Sequence, residues 1–146
     1  MYERILIATD GHDLSKKAVK TGIALAVSLD AEVIAFKSVP RYPMNYFEGG
    51  VVLSPDEIKR IEKDWLQNAQ LVVDAVQQSA LKSGVKARAI LGRGEPSESI
   101  ISAAKKHKCG LIVMASHGRK GVKRILLGSE TLAVLTHSDI PVLVLR

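Results

Sequence analysis

The feature that most limits what this chain can fold into is an alternation between two hydrophobic periods. Arg4-Ile5-Leu6-Ile7-Ala8, Val33-Ile34-Ala35-Phe36, Leu111-Ile112-Val113-Met114 and Val142-Leu143-Val144-Leu145 are short, nearly unbroken apolar runs. Strands covered on both faces read this way, because neither side of the pleat meets water. Val85 to Leu91 differs: Lys86 and Arg88 alternate with Val85, Ala87 and Ala89, so one side tolerates water and the strand belongs at a sheet edge. Between the runs the spacing turns helical. Ser15 to Leu29 sets Ala18, Gly22, Leu25, Ala26 and Leu29 on one face, with Asp13 placed to cap its start. Ser54-Pro55-Asp56-Glu57 forms a capping box ahead of a stripe at Ile58, Ile61, Trp65, Ala69, Val72, Val76 and Ala80, with Gly84 past its end and Trp65 expected as a core anchor. A third helix begins near Pro96 with Ile100, Ala103 and Ala104 inward, and a fourth starts near Gly128 and ends before Pro141.

The resulting order, β-α-β-α-β-α-β-α-β, with right-handed crossovers, predicts an α/β fold: one doubly wound, Rossmann-like, five-stranded parallel sheet ordered 3-2-1-4-5 with helices on both faces. With 146 residues, 47% of them hydrophobic, the chain suits a single domain spanning 1–146. Strands one and four become neighbours whose chains leave toward opposite faces, opening a crevice at their carboxyl ends where such folds bind ligands. Asp10 and the segment after Met114 meet there. The structure-poor stretch Pro40 to Leu53 leaves the same edge and reads either as a lid or as a variable surface loop. The last strand, Val142 to Leu145, is apolar yet lies at the opposite sheet edge, which predicts strand-to-strand homodimerisation.

Composition removes several function classes. A net charge of +6 invites polyanions, but aromatic residues are only 4% and the basic residues are spread over every segment, which argues against nucleic acid. No apolar run approaches the roughly 20 residues of a spanning helix, and the start of the chain lacks signal-peptide features, so a cytoplasmic protein without membrane association is expected. Cys109 is the single cysteine and fits a reducing compartment as a small buried hydrophobe. No Walker-type phosphate loop is present, and Gly92-Arg93-Gly94-Glu95-Pro96-Ser97 follows the edge strand rather than the first, unlike a dinucleotide fingerprint. His107 and Cys109 lack further ligands at metal spacing. Ser116 beside His117 would need an orienting acid to act as a nucleophile, and no Gly-x-Ser-x-Gly elbow frames it.

The stretch that carries chemistry runs from Met114-Ala115-Ser116-His117-Gly118-Arg119-Lys120-Gly121 to Gly128-Ser129-Glu130-Thr131. It passes from a strand end through a basic loop into a helix start, where glycines let backbone N–H groups approach an anion and the helix adds unpaired donors and partial positive charge. Arg119, Lys120, Lys123 and Arg124 either steer phosphates or form solvated surface charge. Asp10, ending strand one, either accepts from ribose hydroxyls or braces the first turn.

In these residues the chain resembles the universal stress protein family, whose pattern is a glycine, two residues, a second glycine, nine residues, then glycine with serine or threonine. Gly118, the nine residues Arg119 to Leu127, and Gly128-Ser129 match it; Thr9-Asp10, Gly94-Glu95-Pro96 and Pro141-Val142-Leu143-Val144 extend the likeness over nearly the full length. Two positions depart: Ala115 stands at the first motif glycine, and Ser38 at a usually apolar position. The resemblance implies an adenine-nucleotide site, with ATP, alone or with Mg2+, as ligand and AMP or cyclic AMP as alternatives. Thr9, Asp10, Met114, Ala115, His117, Gly118 and Arg119 would build it with Gly128, Ser129, Glu130 and Thr131, and Ser38 or Val39 would lie beside adenine. It implies a dimeric stress or signalling switch with a protein partner that the sequence does not name, rather than a fast enzyme. A slow ATP hydrolase and a nucleotide-free interaction module are the alternatives.

Overall fold

The computed structural model describes residues 2–42, 53–117 and 127–146. Strands and helices alternate as expected: β1 Arg4–Ala8, α1 Asp13–Leu29, β2 Glu32–Val39, α2 Pro55–Lys82, β3 Ala87–Arg93, α3 Pro96–Lys106, β4 Leu111–Ala115, α4 Ser129–His137 and β5 Val142–Leu145. The strands form one parallel sheet in the order β3-β2-β1-β4-β5. β1 lies at its centre, with Ile7 opposite both Ala35 and Val113.

Alternate residues of each strand feed opposite faces, as the pleat requires. Ile5, Ile7, Val33 and Val113 face α1 with Ala18, Ile23 and Ala26, while Leu6, Ile34, Phe36, Ile112 and Met114 face α3 and α4 with Ile100, Ala104 and Val134. Ala35 meets Val73 and Val76 of α2. Burying each large side chain among these contributes about 2 kcal/mol. At Gly22 a Cβ would stand 2.7 Å from Cδ1 of Ile7, so α1 owes its close seat on β1 to the missing side chain.

β3 sits at one edge, as its alternating charges predict. Arg88 donates to Glu32 at 2.8 Å and Arg4 donates to the same carboxylate at 2.9 Å, lacing β1, β2 and β3 together at their amino ends. β5 sits at the other edge, apolar and half-buried throughout. Residues 43–52, and with them the reading of the Pro40–Leu53 loop as a lid, lie outside the described residues. Among the described residues no helix is long and apolar enough to cross a membrane.

Two expectations need correction. Asp13 does not cap α1: the N-cap is His12, without a side-chain cap, and Asp13 is the first helical residue, paired with Lys16 at 3.4 Å. Trp65 is half-buried rather than a core anchor and stacks on Tyr42 with ring centroids 6.2 Å apart. The cause is length. α2 has 28 residues, ~42 Å at 1.5 Å per residue, whereas the 8 residues of β2 span only ~27 Å. Its buried positions, Ala69, Val73, Val76 and Ala80, all fall in the second half. The first half overhangs the carboxyl edge, where Glu62 accepts from Tyr42 N–H at 3.3 Å and pairs with Arg93. The capping box of Ser54 and Glu57 forms as expected, with both hydrogen bonds made.

Candidate functional site

The carboxyl ends of β1 and β4 adjoin at the sheet centre, and the chain leaves them toward opposite faces, into α1 and α4. On the β1 side, Thr9 is buried; its N–H donates to Phe36 O at 3.0 Å and its hydroxyl accepts from Gly11 N–H at 3.1 Å. Asp10 Oδ1 accepts from His12 N–H at 2.9 Å and from the Ser15 hydroxyl at 2.6 Å. The bracing role expected of Asp10 is therefore real, and it uses one carboxylate oxygen. In these bonds Oδ2 takes no part.

On the β4 side the chain is pinned where helix and strand meet. Gly128 N–H donates to Ser116 O at 2.7 Å, and the Thr131 hydroxyl reaches Ala115 O at 2.9 Å and Ser116 O at 3.2 Å. Thr131 is 2% exposed, so its hydroxyl serves the protein's own carbonyls. A Cβ at Gly128 would lie 3.3 Å from Ser116 O, close enough that the carbonyl would have to give by a few tenths of an ångström. Gly128 is the N-cap of α4, and no side chain caps that helix among the described residues. Its first-turn N–H groups carry the partial positive charge of a helix start, and no carboxylate or hydroxyl among the described residues caps them.

Ser129 and Glu130 occupy the first turn of α4 and are exposed. Loss of water around the Glu130 carboxyl raises its pKa, and Asp10 and Glu95 add to the rise while Lys37 opposes it. A carboxyl with protein on most sides and one open side fits both the exposure and the shift. Asp10 and Glu95 follow the carboxyl ends of β1 and β3, Lys37 lies near that of β2, and Glu130 starts the helix after β4, so all four share one edge of the sheet. Lys37 donates from Nζ to Asp10 O at 3.4 Å.

The remaining candidates divide. Val39 ends β2, is 1% exposed, and accepts from Gly94 N–H at 3.2 Å; the half-buried Ser38 donates to Gly94 O at 3.4 Å. Met114 and Ala115 are buried in the cores on opposite faces, so backbone is what they offer a ligand. His117 Nδ1 lies 2.8 Å from the Ser116 hydroxyl. Gly118 and Arg119 lie outside the described residues. Sequence reading missed Lys37 and Glu95 as members of this edge. Lys37 had a signal, since it breaks the apolar run of β2 directly after Phe36. Glu95 caps α3, accepting from Ser97 N–H, Glu98 N–H and the Ser97 hydroxyl, and the Glu98 N–H bond leads the effects that hold its pKa down.

Comparison with known proteins agrees with this geometry. The model of the universal stress protein family matches residues 1–146. Universal stress protein MJ0531 of Methanocaldococcus jannaschii is 35% identical over 148 residues, covering 100% of this chain and 83% of the relative. Among solved structures, hypothetical protein MJ0577 of the same organism superposes with a TM-score of 0.86 at 27% identity, covering 99% of this chain and 96% of that one. A universal stress protein solved in complex with cAMP gives a TM-score of 0.72 at 22% identity, covering 99% and 97%, a likeness of fold. A doubly wound sheet with a glycine-serine helix start at its switch point, matched along its whole length by the family model, places this chain in the universal stress protein family.

Proposed function

We propose that this protein binds an adenine nucleotide in the crevice between the ends of β1 and β4, and that ATP is the preferred ligand, with AMP and cyclic AMP as alternatives. The observation that carries this reading is the start of α4. Its N-cap is Gly128, it has no side-chain cap among the described residues, and its first-turn Glu130 feels the charge of Asp10. Phosphate oxygens would accept from the first-turn N–H groups and from Ser129, with Gly118 and Arg119 supplied by the preceding loop. Asp10 Oδ2 would accept from a ribose hydroxyl, and Thr9, Ser38 and Val39 would flank adenine. Met114, Ala115 and His117 would shape the floor, Thr131 would hold it in place, and Glu130 would stand at the phosphate entrance. The cAMP complex of a protein with this fold supports an adenine nucleotide as the ligand class.

Among the described residues no group of three or more His, Cys, Asp and Glu is arranged to hold a metal ion. Mg2+ would therefore arrive on the phosphates and share one or two carboxylates, as it does in nucleotide sites generally, with Asp10 and Glu130 the carboxylates at that edge. The biological role in this reading is a cytoplasmic, single-domain switch that pairs with a second copy through β5 and signals to a protein partner. Slow hydrolysis is the second reading, in which Asp10, Ser129 or His117 would position water and a divalent ion would neutralise charge; the Ser116 hydroxyl, 2.8 Å from His117 Nδ1, favours it by orienting that ring.

Calorimetric titration with ATP, AMP and cyclic AMP, together with mass spectrometry of small molecules released from purified protein, tests the proposal. Micromolar ATP binding at one site per chain is expected. No bound nucleotide and no heat with any of the three would overturn it. Sedimentation of the same sample reads the dimer, and a monomer at all concentrations would remove the β5 pairing.

A further inference from the structure

α1 and α2 lie on one face of the sheet but do not close over it. α1 packs mainly on β1 and β4, and α2 on β2 and β3, so the two helices straddle the β1–β2 junction. Between them runs a groove of about 770 Å³. That volume falls in the range of small-molecule sites, roughly 300–1,000 Å³. Val19, Ile23 and Val27 form one wall and Val72, Ala75 and Val76 the other. Two large apolar side chains of this groove remain open to solvent, Val27 at 51% and Leu71 at 69%. Exposed apolar surface gathered along a concave channel is a binding feature, unlike single apolar residues scattered on a surface.

The groove is charged at one end only. Among the described residues its charged lining residues are Lys16 and Lys20, one helical turn apart near the carboxyl edge, and no described acid lines it. Lys20 has no ion-pair partner among the described residues, and Lys16 reaches only the solvent-exposed Asp13 at 3.4 Å. The far end offers Val27, Ser79 and Ser83. From Lys16 to Val27 the channel follows about 16 Å of helix. A long apolar trough with a cationic mouth suits a ligand with one apolar body and one anionic head.

We propose that the groove between α1 and α2 binds an amphipathic small molecule, an acyl chain bearing an anionic head group, with the head at Lys16 and Lys20 and the chain along Ile23, Val27 and Val76. Thr9 and Gly11 line the groove at its cationic end, one residue on either side of Asp10. The acyl site and the crevice thus share the β1–α1 turn as a wall, yet the proposal stands without any nucleotide.

The test uses dodecanoate below its micelle concentration, titrated calorimetrically into the full chain without nucleotide, with dodecanol as the uncharged control. One saturable site of micromolar affinity is expected. Dodecanol should bind about fivefold more weakly, and Lys20→Glu should weaken dodecanoate by a similar factor while leaving dodecanol unchanged. Ala75→Trp, at an exposed position of α2, should fill the channel and abolish both. Circular dichroism confirms that each variant folds. Absence of saturable binding to the wild type overturns the proposal, as does dodecanoate binding that neither variant alters. An oligomer that Ala75→Trp dissociates and dodecanoate does not compete with would assign the face to self-association instead, and would equally overturn it.

Discussion

Helices α3 and α4 begin at the same edge of the same sheet, each after a strand, and they start in opposite ways. α3 carries its own anion: Glu95 accepts from Ser97 N–H at 3.2 Å and from Glu98 N–H at 2.8 Å, so its positive end is satisfied from within. α4 starts on Gly128, with no side-chain cap among the described residues, and the one acid of its first turn, Glu130, titrates high rather than low. A helix N-terminus is a generic anion site. What distinguishes these two is whether the chain has already filled it.

The sharpest way to break the contrast is to give α4 the cap that α3 has. Gly128→Asp would put a carboxylate over the open N–H groups, with its Cβ pressed toward Ser116 O at 3.3 Å. Nucleotide affinity should fall on the order of a hundredfold, ~2.7 kcal/mol, by calorimetry. Unchanged affinity would mean that phosphates do not use this helix.

The reverse operation opens α3. Glu95→Ala should destabilise the protein by about 1 kcal/mol in urea titration and leave nucleotide affinity within about twofold. The loss has a definite pH dependence. Glu95 has its carboxyl pKa held below the ordinary 4.5, so its contribution is fully present above that value and disappears as pH falls through the lowered one. The stability gap between wild type and variant should therefore narrow only in acid. A gap constant from pH 7 to pH 3 would show that the cap bonds do not depend on the charge.

The smallest expected effect belongs to Glu130→Gln. Removing a charge beside the phosphate entrance should tighten ATP about threefold at pH 7 in EDTA, within the ~1 kcal/mol of partly exposed pairs. Because the Glu130 carboxyl protonates above the ordinary 4.5, wild-type affinity should converge on that of the variant as pH falls toward that raised value. A wild type that binds more tightly than Glu130→Gln under these conditions would mean that the acid contacts the ligand favourably.

Much of this contrast was legible in the chain. The unbroken runs Ile5-Leu6-Ile7 and Ile112-Val113 announced strands buried on both faces, and the charges of Lys86 and Arg88 announced the edge. Gly128-Ser129 marked the start of α4, where a basic, glycine-containing stretch after a strand end gives way to a helical pattern. What sequence spacing did not reveal depends on where an element ends relative to its neighbours. The stripe of α2 continues through Ile58, Ile61 and Trp65, but periodicity carries no information about how far the sheet beneath extends, so an overhanging half looks like a packed one. Leu29 shares the spacing of α1 and is 43% exposed for the same reason, at the other edge. Asp10 and Asp13 were indistinguishable as caps until the turn between them set which carboxylate meets His12 N–H and Ser15. Glu95 was visible as a residue before proline, but its placement near Glu130 arises from strand order, which joins turns distant in sequence.

The bond from Gly128 N–H to Ser116 O bears on how a site of this kind can change over time. It ties the two ends of an eleven-residue insert, 117–127, at a neck that Thr131 holds from behind with its two hydrogen bonds. Once the ends are fastened by the framework, the entropy of closing the insert grows only slowly with length, about 0.6 kcal/mol per doubling. On the proposed nucleotide reading, ligand preference becomes separable from the framework, because the neck is fastened by residues of the strand end and the helix start alone.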